Sequence, residues 1–87
     1  MDDYALKIYP NPLRDDRLSI SISGYYGNMN ISIFNMLGLL QYSESIKIID
    51  NVQLSINVSG YDEGVYILKT ISGDTYSHKY QKIIIAR

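Results

Sequence analysis

The sequence predicts an all-β fold, an immunoglobulin-like antiparallel β-sandwich of about seven strands in two sheets. Apolar and polar residues alternate along most of the chain, and a period of two places successive side chains on opposite faces of a strand. Turn-forming residues recur about every ten residues, a spacing typical of sandwiches rather than of β-α-β units. The chain has 87 residues, which is enough for one core and predicts a single domain over residues 1–87.

The predicted strands follow the alternating segments in chain order. Isoleucine, valine, tyrosine and threonine dominate these segments, and such side chains suit a pleated, half-buried surface. The predicted strands are residues 6–9, 18–22, 29–33, 39–46, 52–58, 65–71 and 75–86. The last one ends in Ile83, Ile84 and Ile85, where the alternation stops. Either this strand is central and covered on both faces, or its free end and edge are presented to another protein.

Residues with turn-forming backbone preferences separate the strands. Asn35 and Gly38 occupy the first and fourth positions of a predicted type I turn, because glycine adopts a positive φ without steric cost. Gly73 marks a second hairpin tip, and residues 59–64 form a longer connection. Residues 24–28, with glycine at each side of two tyrosines, predict a looser turn.

A proline-rich stretch, Tyr9-Pro10-Asn11-Pro12, follows the first predicted strand. Each proline fixes its own φ, lacks an N–H and restricts the preceding residue to extended geometry, so strand pairing cannot continue through it. One interpretation is a rigid connection from the first strand to the other sheet. The other is a preorganised handle for a receptor.

Composition argues against several classes of function. Eight basic and nine acidic residues give a formal net charge of −1, without the basic excess that binds nucleic acids or anionic membranes. No apolar run reaches the roughly 20 residues of a membrane helix, so direct membrane insertion is not expected. The chain has no cysteine and one histidine, His78, so a zinc site is not expected, and no Gly-x-Ser-x-Gly motif provides a nucleophile for His78 to activate. We expect no catalytic residue, no metal and no cofactor, and a solvated His78 on a strand.

Tyrosine is unusually frequent, with nine tyrosines against one phenylalanine and no tryptophan. A tyrosine ring has an apolar face and a polar tip, which suits stacking on sugars as well as packing in strands. Tyr25 and Tyr26 lie together in a predicted loop. An accessory carbohydrate- or protein-binding module of an extracellular enzyme is therefore an alternative function, with these two tyrosines as the sugar contacts.

Five blocks of the chain, taken in order, resemble the type A C-terminal sorting domain of the type IX secretion system of Bacteroidetes. The matching blocks are IYPNP at residues 8–12, RLSI at 17–20, ISIFNMLG at 31–38, LSINVSG with EGVYILK within 54–69, and KIII at 82–85. Together they cover nearly the whole chain. Tyr61 stands where the family usually has leucine, and Ala86 and Arg87 extend past the closing isoleucines as a short overhang.

The resemblance implies a non-catalytic secretion signal at the C-terminus of a larger secreted precursor, which carries its own N-terminal export signal. The type IX outer-membrane translocon would recognise the folded domain after periplasmic transit. A sortase-like peptidase would then remove the domain by cleavage upstream of Tyr4. The cargo would stay at the outer membrane and cell surface or be released outside the cell.

The same resemblance assigns the family's recognition role to the matching positions. These positions are Pro10, Asn11, Pro12, Gly64, Val65, Tyr66, Lys82, Ile83, Ile84 and Ile85. Asn35, Gly38 and Gly73 are expected to hold turns instead. A last strand with open edges also predicts a strand-exchanged homodimer of the isolated domain.

Overall fold

The computed structural model describes residues 4–73 and 77–87. Within these two ranges the regular structure is antiparallel β-sheet without helix, which confirms the predicted all-β class. The strands are β1 (Ala5–Tyr9), β2 (Arg17–Asn35), β3 (Leu40–Asn57), β4 (Gly64–Ser72) and β5 (His78–Ile85). No helix long and apolar enough to cross a membrane occurs in the described part of the chain.

The described ranges contain five strands instead of about seven, because two pairs of predicted strands merge into the long strands β2 and β3. The prediction of a turn at residues 24–28 is wrong, since these residues are part of β2. A register shift between Ser23 and Tyr25 accompanies a φ of 80° at Gly24, and Asp50 on β3 has a φ of 72°. An extra residue in one strand bends and twists the ladder locally. Gly24 thus serves a bulge within a continuous strand.

β2 is the central strand of the sheet. β3 pairs with it along nearly its whole length, from Arg17 opposite Asn57 to Phe34 opposite Leu40. β1 pairs with the first part of β2, β4 pairs with the second part, and β5 adds to β4. The sheet therefore has one half made of β1, β2 and β3, and another half made of β3, β2, β4 and β5.

The two halves pack against each other because the β2–β3 ladder folds back on itself. Leu18 in the first part of β2 and Ile33 in the second part line the same closely packed region. A straight strand would hold these residues about 50 Å apart, whereas the longest dimension of the molecule is 36 Å. The predicted alternation is confirmed in this core, where Leu18, Ile20 and Ile22 are buried.

One cluster of buried apolar side chains holds the halves together. Its members are Tyr4, Leu13, Leu18, Ile20, Ile22, Tyr25, Met29, Ile31, Ile33, Ile48, Ile56, Val58, Tyr66, Leu68, Ile83 and Ile85. The hydroxyl of the buried Thr70 lies within this core and forms a 2.7 Å hydrogen bond with the Tyr4 hydroxyl. Such pairing offsets the cost of removing a polar group from water.

The hairpin turn predicted between β2 and β3 is confirmed. The side-chain oxygen of Asn35 accepts hydrogen bonds from the backbone N–H groups of Leu37 and Leu39, both at 2.9 Å. Gly38 donates its N–H to the Asn35 carbonyl at 3.0 Å and has a φ of 82°. This positive φ is the conformation that favours glycine at the turn.

Gly73 lies in a turn after β4, as predicted, and it also approaches a neighbouring backbone closely. Its N–H donates to the Asn28 carbonyl at 2.7 Å, and a β-carbon at Gly73 would lie 2.9 Å from that same oxygen. Close approach of two backbones, rather than a special φ, therefore requires glycine here. The rest of the predicted tip, at residue 74, and the predicted start of the last strand, at residues 75 and 76, lie outside the described residues.

Candidate recognition site

Three separate blocks of the sequence meet at the C-terminal end of β5. In the β4–β5 ladder, Gly64 lies opposite Ile85 and Tyr66 lies opposite Ile83. The other edge of β5 contacts the proline-containing connection, residues 10–13. The folded chain thus assembles the residues assigned to recognition around one strand, with β4 on one side and the connection on the other.

Asn11 attaches the connection to β5. Its side-chain amide donates to the Lys82 carbonyl at 3.0 Å, and its side-chain oxygen accepts from the Ile84 N–H at 3.0 Å. An asparagine side chain carries both a donor and an acceptor, so it can pair with a strand edge as a peptide group does. The structure therefore places a partner on the edge of β5 that one sequence interpretation left free.

Leu13 continues this pairing with backbone groups. Its N–H donates to the Ile84 carbonyl at 2.6 Å, and its carbonyl accepts from the Ala86 N–H at 2.8 Å. Leu13 also forms a parallel β-bridge with Ile85, and its side chain is buried. Sequence analysis missed Leu13, whose only signal is an apolar residue isolated among polar neighbours.

The proline-containing connection leaves β1 and reaches the opposite half of the sheet. β1 ends at Tyr9, so strand pairing stops where the prolines predict. Both Pro10 and Pro12 follow cis peptide bonds, and residues 10–12 are exposed. The interpretation as a connection is therefore confirmed, while the use of the same residues as a receptor handle stays a prediction.

Burial divides the predicted recognition residues into two groups. Tyr66, Ile83 and Ile85 are buried and belong to the core cluster. The accessible residues are Pro10, Asn11, Pro12, Gly64, Val65, Lys82 and Ile84, of which Val65 and Ile84 are half-buried. We call these seven residues the recognition platform. Only the seven platform residues have surface available for contact, whereas the three buried residues belong to the core.

Arg87 is a second residue that sequence analysis missed. Its guanidinium donates to the carbonyls of Val58, Ser59 and Tyr61 at 2.6, 3.4 and 2.5 Å. It also lies 3.9 Å from a carboxylate oxygen of Asp16. The C-terminal overhang is therefore not free: Arg87 connects the segment after β5 to the connection between β3 and β4. Its partners are backbone carbonyls, which no pattern of side chains reveals.

Two tyrosines hold the connection that leads into β4. The Tyr66 hydroxyl donates to the Asp62 carbonyl at 2.7 Å, and the Tyr61 and Tyr66 ring centroids are 5.4 Å apart. Burial raises the pKa of Tyr61 above its ordinary value, and the neighbouring Tyr66 adds to the shift. The neutral phenol is therefore favoured here, as expected for a ring that packs on the core.

In the ranges 4–73 and 77–87, no group of three or more His, Cys, Asp or Glu side chains is placed to hold a metal ion. His78 is exposed on β5, as predicted, and its ring lies edge-on to Tyr80 with 6.3 Å between centroids.

Tyr25 and Tyr26, proposed as sugar contacts, do not form a shared exposed surface. Tyr25 is buried, with its ring 5.3 Å from the Tyr4 ring and its hydroxyl bonded to the Asn28 carbonyl at 2.8 Å. Tyr26 is exposed. Adjacent residues of a strand point to opposite faces, and residues 24–28 form a strand rather than the predicted loop. The interpretation of Tyr25 as a sugar contact is wrong.

Comparison with known proteins decides the family. Residues 7–86 match the family described as the secretion system C-terminal sorting domain. The chain belongs to this family. As a sorting domain it is a C-terminal secretion signal of the type IX system and not an enzyme. It interacts with the type IX secretion machinery, and its signal directs export to the cell surface or the extracellular space.

A curated relative of the sorting domain is a far longer protein. Funoran endo-beta-hydrolase from Wenyingzhuangia aestuarii is 39% identical over 67 residues, which are 77% of this chain and 9% of the relative. The chain therefore spans less than a tenth of that relative's length. Most of the relative has no counterpart in the sorting domain described here.

Proposed function

We propose that the type IX outer-membrane translocon recognises this sorting domain as a folded unit, through the recognition platform. The observation that carries the proposal is the pairing of Asn11 with Lys82 and Ile84, residues that are more than 70 positions away in the chain. An unfolded tail would not bring these residues together. A preassembled surface also loses little conformational entropy on binding.

The proposal includes the finer architecture and the route of export. We take the two packed halves of the sheet as the two layers of an immunoglobulin-like sandwich, an arrangement supported by the shared core of Leu18 and Ile33. The domain would be one part of a larger precursor that passes through the periplasm before it meets the translocon. The name of the relative supports an exported enzyme as one type of cargo.

Removal by a sortase-like peptidase is the last step of the proposed route. Tyr4 is 3% exposed, its hydroxyl bonds to Thr70, and its carbonyl accepts from the Lys79 ammonium at 2.8 Å. A peptidase cannot reach a backbone segment that is held in this way without unfolding it. These contacts support cleavage upstream of Tyr4, as the resemblance implies.

A fusion experiment tests the proposed function. Residues 1–87 are joined behind a reporter with an N-terminal export signal, in a bacterium that has a type IX system. We expect the reporter at the cell surface or in the medium, cleaved upstream of Tyr4, and several-fold less export for the Asn11→Ala, Lys82→Ser double variant. Retention of the wild-type fusion in the periplasm overturns the proposal. Asn51→Ala, an exposed change on β3, is the control.

The oligomeric state forms a separate part of the proposal. A strand-exchanged homodimer of the isolated domain requires β5 to leave β4 and the Leu13 pairing and to re-form both with a second copy. Static light scattering over a concentration series measures this directly. A mass near the 9.9 kDa of one chain at all concentrations excludes the dimer.

A further inference from the structure

One half of the sheet consists of β3, β2, β4 and β5, and its surface that faces away from the core has an unusual composition. We call this surface the outer face. In β4, buried and partly exposed residues alternate, so every second side chain points away from the core. The side chains of this outer face are Val65, Ile67, Lys69 and Ile71 on β4, Asn28, Asn30, Ser32 and Phe34 on β2, Lys47, Ser45, Ser43 and Leu40 on β3, and His78, Tyr80, Lys82 and Ile84 on β5.

Apolar side chains form a continuous strip across this outer face. Phe34 lies between Leu40 on β3 and Ile67 on β4, and Val65 lies opposite Ile84 at the edge of the recognition platform. The strip continues into the β2–β3 hairpin. There Met36, Leu37, Leu39 and Leu40 are 67, 84, 58 and 56% exposed. Contiguous exposed apolar residues of this kind mark interaction surfaces in soluble proteins.

Charge is distributed unevenly around the strip. Lys47, Lys69 and Lys82 lie on the outer face, and the Lys69 ammonium is 5.4 Å from the centroid of the Phe34 ring. No described carboxylate shares this face, although the whole chain has a formal charge of −1. The described acidic residues lie elsewhere: Asp15, Asp16, Asp62 and Glu63 in connections, and Glu44 and Asp50 opposite the buried Ile31 and Tyr25.

We propose that this apolar strip is a docking surface for a protein of the secretion machinery that presents apolar side chains bordered by carboxylates. The inference rests on the proposed function and extends the contact area from the recognition platform to the hairpin tip. Aliphatic side chains dominate the strip, which suits the apolar centre of a protein interface better than sugar rings. Lysines without neighbouring carboxylates attract an acidic partner and disfavour a basic one.

Export of the same reporter fusion tests the strip with residues outside the recognition platform. The variants are the Leu37→Ser, Leu39→Ser pair and Lys69→Glu, with Lys7→Glu as the matched charge control and Asn51→Ala as a second control, both at exposed positions of the other half of the sheet. We expect the strip variants to export about tenfold less reporter and the controls to stay within about twofold of wild type. Thermal unfolding confirms that each variant is folded, and the exposed tip pair leaves the core intact.

The outcomes separate the two proposals. If the wild-type fusion is not exported, the proposed function fails. If the wild type is exported and the folded strip variants are exported equally well, the strip proposal is overturned and the proposed function stands. Titration of the purified domain with chondroitin sulfate adds a further check. Saturable binding lost in Lys69→Glu, with normal export of that variant, assigns the face to an anionic glycan and overturns the protein partner.

Discussion

The side-chain oxygen of Asn11 accepts a hydrogen bond from the backbone N–H of Ile84 at 3.0 Å, although 73 positions separate the two residues. The same amide also donates to Lys82, so one side chain takes the place of a strand partner. The connection after β1 is therefore part of the sheet edge. Its exposed prolines are held in place by a residue between them.

Asn11→Ala should weaken the attachment of this connection to β5. The change removes two hydrogen bonds and leaves a strand donor and acceptor to pair with water, at a cost of about 1–2 kcal/mol. In a domain of this size that lowers the melting temperature by roughly 4–8 °C per kcal/mol. Calorimetry measures the shift. Asn51→Ala, on the exposed part of β3, should stay within about 0.5 kcal/mol, and equal effects of both variants would contradict the expected role.

Arg87→Ala should destabilise the domain by about 1–2 kcal/mol, because the carbonyls of Ser59 and Tyr61 lose the guanidinium donor and that of Val58 keeps only the Tyr61 N–H. Arg87→Lys should recover only part of this loss, since an ammonium lacks the planar array of donors. The ion pair with Asp16 is long and exposed, so Asp16→Asn should cost less than about 0.5 kcal/mol. Urea unfolding compares the three variants. A loss in Asp16→Asn as large as that in Arg87→Ala would show that the ion pair dominates.

The fold could be predicted where local chemistry decides it. Alternation identifies the buried Leu18, Ile20 and Ile22, and the Asn35–Gly38 turn depends on one side chain and one positive φ. Residues 24–28 fit a turn and a bulge equally well by composition. Pairing with β3, where Asp50 lies opposite Tyr25, decides between turn and bulge. The local sequence pattern does not predict a pairing between residues so far apart in the chain.

Gly73→Ala should destabilise the domain by about 1–3 kcal/mol, because its β-carbon would lie 2.9 Å from the Asn28 carbonyl oxygen and 3.1 Å from the Asn28 β-carbon. Gly60→Ala is the matched control, since a β-carbon there meets no atom within 4 Å. That control should be neutral or slightly stabilising through the lower entropy of the unfolded chain. Chemical denaturation of both variants measures the difference, and equal stabilities would refute the close approach at Gly73.

Gly38→Ala should destabilise the β2–β3 hairpin for a different reason. A β-carbon at Gly38 meets no atom within 4 Å, but the φ of 82° is strained for alanine, at a cost of about 1 kcal/mol. Gly38→Asn should cost less, because asparagine tolerates a positive φ better. Thermal unfolding ranks the variants. Equal losses of stability in Gly38→Ala and Gly38→Asn would contradict backbone strain as the cause.

Tyr42 should make stability depend on pH in the alkaline range. Burial first, and then the hydrogen bond to Glu44 and its charge, raise the pKa of Tyr42 from 10.0 to about 12. The folded state thus retains the phenol proton that the unfolded state loses. This contribution is complete below pH 10 and disappears as the pH rises from 10 towards 12. Denaturation midpoints across this window measure the effect.

Two variants isolate this Tyr42 contribution. Tyr42→Phe should show a smaller fall in stability over the same pH window, because no phenol proton remains to be lost. Glu44→Gln should narrow the window by lowering the pKa of Tyr42, since both the anionic acceptor and its charge are removed. An unchanged pH dependence in Tyr42→Phe would assign the alkaline transition to another group.

The candidate site was only partly visible in the sequence. Residues 10–12, 64–66 and 82–85 were each identified by resemblance, but their meeting around β5 depends on strand register. Register also decides that Ile84 points outward while Ile83 and Ile85 enter the core. Leu13 and Arg87 bond to backbone groups, so no sequence motif identifies their contacts.

The attachment of residues 11–13 to β5 ties the domain's earliest connection to its last strand. A ribosome-bound precursor that stops before β5 can close the β2–β3 hairpin, because that contact is local in the chain. It cannot present the joined surface, since half of it has not been synthesised. If the translocon recognises the platform as proposed, a chain truncated before β5 carries no complete surface for it to bind.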